Sequence, residues 1–138
     1  MALKTNNSYL DFDIKLSGTS TYDTTTVPSN QVKIKPSDGG PFENFGISVA
    51  VGSGRIVVGA WGDNTDTGSA YIFNLSGTQL AKIIASDGAT SDYFGLSVAV
   101  GSGRIVVGAY GDDDNGTFSG SAYIHTTPNQ THMLDLLE

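Results

Sequence analysis

The apolar residues of this chain fall into short alternating or unbroken runs separated by glycine-rich polar turns. Ile47, Val49 and Val51 alternate with Ser48 and Ala50, the period of a half-buried strand. Gly52 to Gly54 then turns the chain into Arg55 to Ala60, whose Ile-Val-Val-Gly-Ala run is expected of a strand buried on both faces. A polar loop leads to a third strand, Ser69 to Phe73, and Leu75 to Thr78 turns into a fourth, Leu80 to Ala85. Leu96–Val100, Arg104–Ala109 and Ser121–His125 repeat the first three.

The repetition is close to literal. Phe45 to Asp63 and Phe94 to Asp112 are identical at 17 of 19 positions, 49 residues apart. Lys33-Ile34 aligns with Lys82-Ile83 at that offset, and Ser37-Asp38-Gly39 aligns with Ser86-Asp87-Gly88. Beyond Asp112 the offset becomes 52, so the second copy carries three extra residues in one loop before Gly120-Ser121-Ala122-Tyr123-Ile124. Length change between matched strands is what a repeat architecture tolerates best. The small residues Gly59, Ala60, Gly108 and Ala109 end the apolar strand of each copy, where neighbouring sheets are expected to approach closely.

A four-stranded unit of about 45 residues, repeated, is the pattern of a β-propeller blade. Phe45-Gly46 followed by Gly59-Ala60, and Phe94-Gly95 followed by Gly108-Ala109, resemble FG-GAP repeats, the blades of integrin-α-type propellers. The third letter departs from that pattern, being Trp61 and Tyr110 in place of proline. The resemblance covers residues 31–126. It implies an all-β fold of two four-stranded blades, about 31–80 and 81–126, between an N-terminal β arm (1–30) and a C-terminal tail (127–138). A compact two-sheet β-sandwich is the alternative.

Two blades cannot close a ring, and each leaves an apolar face without a neighbour. The phase is informative. Residues 31–36 correspond to the fourth strand of a blade but precede the first copy, and no good fourth strand follows His125, where TTPNQTHMLDLLE reads as a turn and a short helix. The expected solution is cyclic assembly, each chain's leading strand completing a blade of its neighbour. A homotrimer of six blades is favoured, and a tetramer would give eight, both within the usual range of about four to eight.

In the arm, Leu10, Phe12, Ile14 and Leu16 alternate with charged residues, as in a strand that covers an edge or docks on a partner. The chain has no cysteine, so neither disulfides nor thiolate metal sites enter. Its net charge of −7 argues against nucleic acid and anionic membranes as partners. MALKTNNSYL lacks the apolar run of a secretory signal, and nothing approaches the roughly 20 apolar residues of a membrane-spanning helix.

No catalytic set stands out around the two histidines, His125 and His132, and no enzyme is expected. Asp63, Asp66, Asp112 and Asp114 supply hard oxygen in two acidic loops, which makes calcium the one cofactor to weigh. Their broken spacing favours solvated turns, and the matched Asp63/Asp112 and Arg55/Arg104 favour a repeated salt bridge or turn cap. Trp61, Tyr110 and Phe118 are the candidate contact residues, suited to sugar stacking, to a protein partner or to packing between blades. FG-GAP-like arrays occur in phage virion and bacterial surface proteins. The resemblance therefore implies a structural or adhesive protein, first a virion component (decoration, knob or fibre attachment) and second a lectin-like adhesin binding surface glycans.

Overall fold

The computed structural model describes residues 30–128. The chain divides between Gln31 and Val32 into two units, and all strands among the described residues lie in the second. The arm residues Leu10, Phe12, Ile14 and Leu16, together with His132 and the tail from 129 onward, lie outside the described residues.

Seven antiparallel strands form two sheets. The first contains β1 (Ser48–Gly52), β2 (Arg55–Ala60), β3 (Ser69–Asn74) and β4 (Gln79–Ile83), in that spatial order. The second contains β5 (Phe94–Gly101), β6 (Arg104–Ala109) and β7 (Ser121–Thr126). This is an all-β fold of two blade-like sheets. Observed strand ends match those expected for β2 and β6 and elsewhere differ by at most two residues, and β5 begins early because Phe94 pairs with Ala109 across a bulge. Registers repeat: Val58 lies opposite Tyr71 in the first sheet, and Val107 opposite Tyr123 in the second.

One difference concerns the leading segment. Residues 31–36, equivalent to a fourth strand, pair with no strand among the described residues. Ile34 nevertheless packs against the first sheet, alongside Phe45 and beneath Val58, Tyr71 and Phe73. A fourth strand needs a third to bond to, and β3 already bonds to β4.

The principal core lies between the sheets. Val57, Ala70 and Ile72 of the first sheet meet Phe94, Ile105, Val107 and Ala109 of the second, with Val98 and Val100 at the margin. Identical sequences thus have unequal fates. Val57 and Ile72 are buried, whereas their counterparts Val106 and Ile124 are 38% and 70% exposed. The expectation that the Ile-Val-Val-Gly-Ala strand is buried on both faces therefore holds for β2 and fails for β6, which among the described residues has a neighbour on one face only.

Glycine sets the closeness of the sheets. A Cβ at Gly59 would lie 1.8 Å from the carbonyl oxygen of Gly95, in the other blade. Ser48 Oγ donates to that same oxygen at 2.7 Å. Gly108, the counterpart of Gly59, faces only Ser97 Oγ, and Gly46, the counterpart of Gly95, faces open space.

Candidate functional site

Three surfaces gather the sequence's candidate residues. The first is a row of aromatic rings across both blades. Trp61 ends the first blade's buried strand and meets Tyr93 edge-on, with ring centroids 5.2 Å apart. Tyr93 stacks on Tyr110 at 5.3 Å, and Tyr110 on Phe118 at 5.9 Å, with interplanar angles of 16° and 13°. Tyr110 and Phe118 are more than half exposed. Trp61, Tyr93, Leu96 and Tyr110 line a cleft of about 210 Å³. The expected Trp61, Tyr110 and Phe118 are therefore brought together.

Tyr93, the ring that joins them, was not legible in the sequence, because its counterpart in the first copy is Asn44. Both hold a left-handed backbone, with φ of 59°. That conformation suits Asn better than an aromatic residue. Phe118, at the far end of the row, also has positive φ.

The second surface is an ion-pair site in the first blade. Lys82 Nζ on β4 lies 2.7 Å from both Asp38 Oδ2 and Asp63 Oδ2. The ammonium sits 5.3 Å from the centroid of the Tyr71 ring, and the Tyr71 hydroxyl donates to Asp38 at 2.9 Å. Ser69 Oγ donates to Asp63, which is almost fully buried. The hydrogen bond from Lys82 holds the Asp38 carboxyl below its ordinary value. Burial opposes the same effect at Asp63, but Lys82 and Ser69 outweigh it and the carboxyl is lowered. Burial and its Asp38 bond push the Tyr71 hydroxyl up to about 12. Burial pulls against the charge on Lys82, yet its bonds to Asp38, Asp63 and Tyr71 raise its pKa well above the ordinary lysine value.

Asp63 therefore sits in a salt bridge, as one of the sequence readings has it, with Lys82 as the cation. Arg55 instead donates to the carbonyl oxygens of Gly54 and Pro128. Asp66 lies in the same loop, where Asn64, Thr65 and Asp66 all have positive φ.

The second blade carries the same site with one member missing. Asp87, Asp112 and Tyr123 replace Asp38, Asp63 and Tyr71. Tyr123 Oη donates to Asp87 at 2.8 Å and lies 3.2 Å from Asp112 Oδ2. Asp112 is 4% exposed and also caps its turn, accepting from the Asp114 backbone N–H at 2.9 Å. The Ser121 hydroxyl and that N–H lower its pKa, while its charge raises that of Asp114. No basic side chain reaches these acids among the described residues, and both salt bridges found there belong to Lys82. Among the same residues, no group of three or more acidic or histidine side chains is arranged to hold a metal ion. His125 occupies the position of Phe73 and sits edge-on to Phe94, 6.2 Å away.

The third surface consists of the two outward blade faces. Ile47, Val49 and Val51 are 52%, 66% and 68% exposed on the first blade. Their counterparts in the second blade, Leu96, Val98 and Val100, are half-buried against the first. The far face of the second blade presents Val106 and Ile124.

Comparison with curated proteins returns no match. The FG-GAP repeat family matches twice, over residues 28–73 and 78–125, so that each match spans one leading segment and one set of three blade strands. With both copies matched and each folded as a blade-like sheet, the chain belongs to the FG-GAP repeat family.

Proposed function

We propose that this chain is a non-enzymatic structural protein that builds a propeller from several copies of itself, three being favoured. The supporting observation is the pair of open apolar faces. The contact between the blades within one chain is a template for a contact between chains. There, the Val57 and Ile72 face receives the face bearing Val98, Val100 and Ile105. Val106 and Ile124 would receive Ile47, Val49 and Val51 of the next copy in the same way. Such a contact is head-to-tail, and it generates a ring when the rotation closes.

Ile124→Glu and Val49→Glu test this reading. Both side chains are well exposed in the single chain. The expected outcome is a folded protein of one chain mass, in place of the wild-type assembly. Retention of wild-type mass by both variants would contradict the reading.

Within this structural role, the virion is the favoured setting, as a decoration, knob or fibre-attachment protein. It is supported by the resemblance to FG-GAP-like arrays of phage and by the arm pattern of Leu10, Phe12, Ile14 and Leu16. Co-purification with particles, lost on deleting residues 1–30, is the expected result. Free protein that never enters particles would oppose it.

The aromatic row favours a second reading, a lectin-like adhesin. A row of rings in which Tyr110 and Phe118 stay exposed and Trp61 and Tyr93 are half-buried, with Tyr93 and Phe118 held at positive φ, suits stacking against the apolar face of a pyranose. Several equivalent rows on one ring would add avidity. Glycan-array binding lost in Trp61→Ala and Tyr110→Ala supports this reading, and an array with no signal opposes it.

A further inference from the structure

We infer that Lys33 of one copy supplies the cation missing from the Asp87–Asp112–Tyr123 site in the second blade of the next. The inference rests on the head-to-tail assembly proposed above and names the residue that closes it.

The first blade shows the completed site. There a lysine on the fourth strand lies between two carboxylates and over a tyrosine ring. The second blade retains both carboxylates and the tyrosine with their hydrogen bond, but its described strands stop at three. Among the described residues, Asp112 is buried there with hydrogen bonds from Tyr123 and the Asp114 N–H but with no counter-ion. A buried carboxylate without a counter-ion is costly, and its pairing is correspondingly favourable. This chain offers no lysine or arginine after Arg104. At the register of Lys82, the 52-residue offset places Leu134.

The repeat nominates the donor. Lys33-Ile34 stands 49 residues before Lys82-Ile83. Ile83 packs into the core shared with the second blade, and Ile34 packs in the corresponding place against the first. Alternation along an extended segment then puts Lys33 on the side opposite its own first blade, as Lys82 lies opposite Ile83. Lys33 is exposed and takes part in no salt bridge among the described residues. Among the described residues, 32–35 enter no backbone–backbone hydrogen bond and no strand pairs with the outer edge of β7. Strand addition satisfies both. Ile34 keeps its packing while Lys33 reaches the acids, so the segment need not leave its observed place.

The test uses the full chain, with mass and dissociation followed by sedimentation. Lys33→Glu is expected to weaken assembly about 30-fold, the low end for loss of one partner of an interfacial charge pair, because the Lys82 pair it copies is half-buried. Lys33→Arg should retain assembly, and Asp87→Lys combined with Lys33→Glu should restore part of it. Assembly in the wild type that Lys33→Glu leaves unchanged would overturn this inference alone. Assembly that survives Lys33→Glu but is lost on truncation after Pro128 would assign the edge to the tail and also overturn it. A wild type that stays a single chain would overturn both this inference and the assembly on which it rests.

Discussion

Replacing Gly59 with alanine should separate the two blades. The added Cβ would lie 1.8 Å from the Gly95 carbonyl oxygen and 2.4 Å from Ser48 Oγ, whereas real Cβ contacts stay beyond 3.0 Å. Ser48 can rotate away, but the Gly95 oxygen is backbone, so the sheets must part by the missing 1.2 Å, from 1.8 to 3.0. A gap of about 0.5–1 Å already forfeits a quarter to a half of the dispersion attraction across it. Val57, Ile72, Phe94, Ile105 and Val107 fill the interface. At about 1.5–3 kcal/mol each, their burial contributes roughly 7–15 kcal/mol. Losing about half of that, and about 1 kcal/mol more with the Ser48 hydrogen bond, gives a cost of about 5–8 kcal/mol. A domain with total stability of about 5–15 kcal/mol is then largely unfolded or melts at least about 15 °C lower. Thermal and urea unfolding followed by circular dichroism reads this directly. Gly101→Ala is the control, since nothing lies within 4 Å of its added Cβ, and it should stay within about 0.5 kcal/mol of wild type. A Gly59→Ala protein as stable as that control would refute backbone-to-backbone contact between the blades.

Gly108→Ala separates assembly from folding. Its Cβ meets only the rotatable Ser97 hydroxyl within one chain, so the fold should survive; in a ring it meets the next copy's Gly46 carbonyl, so sedimentation should show a single chain. Lys82→Met leaves Asp38 and Asp63 without their cation, and the half-buried pair predicts a loss of about 2 kcal/mol, between exposed-pair and buried-pair values, read as a fall in Tm. Asp38, Asp63 and Asp112 all have lowered carboxyl pKa values in the fold. Their stabilisation is therefore complete above the ordinary value of 3.8 and lost as pH falls through the lower folded values. Melting curves should be level from neutrality to about pH 5 and drop steeply below pH 4, less steeply in Lys82→Met; a flat curve down to pH 2 would exclude the carboxylates as contributors.

The strands were legible because period, turns and repetition agreed at each of them. The same sequence could not disclose burial. Val57 and Val106 sit in identical runs, and only the presence of a second sheet on one side distinguishes them. Lys82 and its acids were hidden by distance along the chain, 44 residues separating Lys82 from Asp38, so that the salt-bridge reading of Asp63 came with a matched arginine and without this lysine. A signal was present even so, because Lys33/Lys82 and Asp38/Asp87 keep the repeat offset although neither pair lies in the Phe-Gly or Gly-Ala motifs. Tyr93 carried no such signal. It belongs to the aromatic row through its left-handed backbone and its place between the blades, and neither is a property of local sequence. Of the contact candidates, Trp61 and Tyr110 were found by matched position and Phe118 by the longer loop, and all three reach the row.

The mass of the wild-type chain in solution, measured by light scattering behind a sizing column, decides whether the open blade faces meet between copies. A closed ring of six blades gives a single species at three times the 14.4 kDa chain, unchanged on dilution through the micromolar range. A single species at 14.4 kDa would contradict it, since Val49, Val51, Val106 and Ile124 would then remain exposed in the native protein.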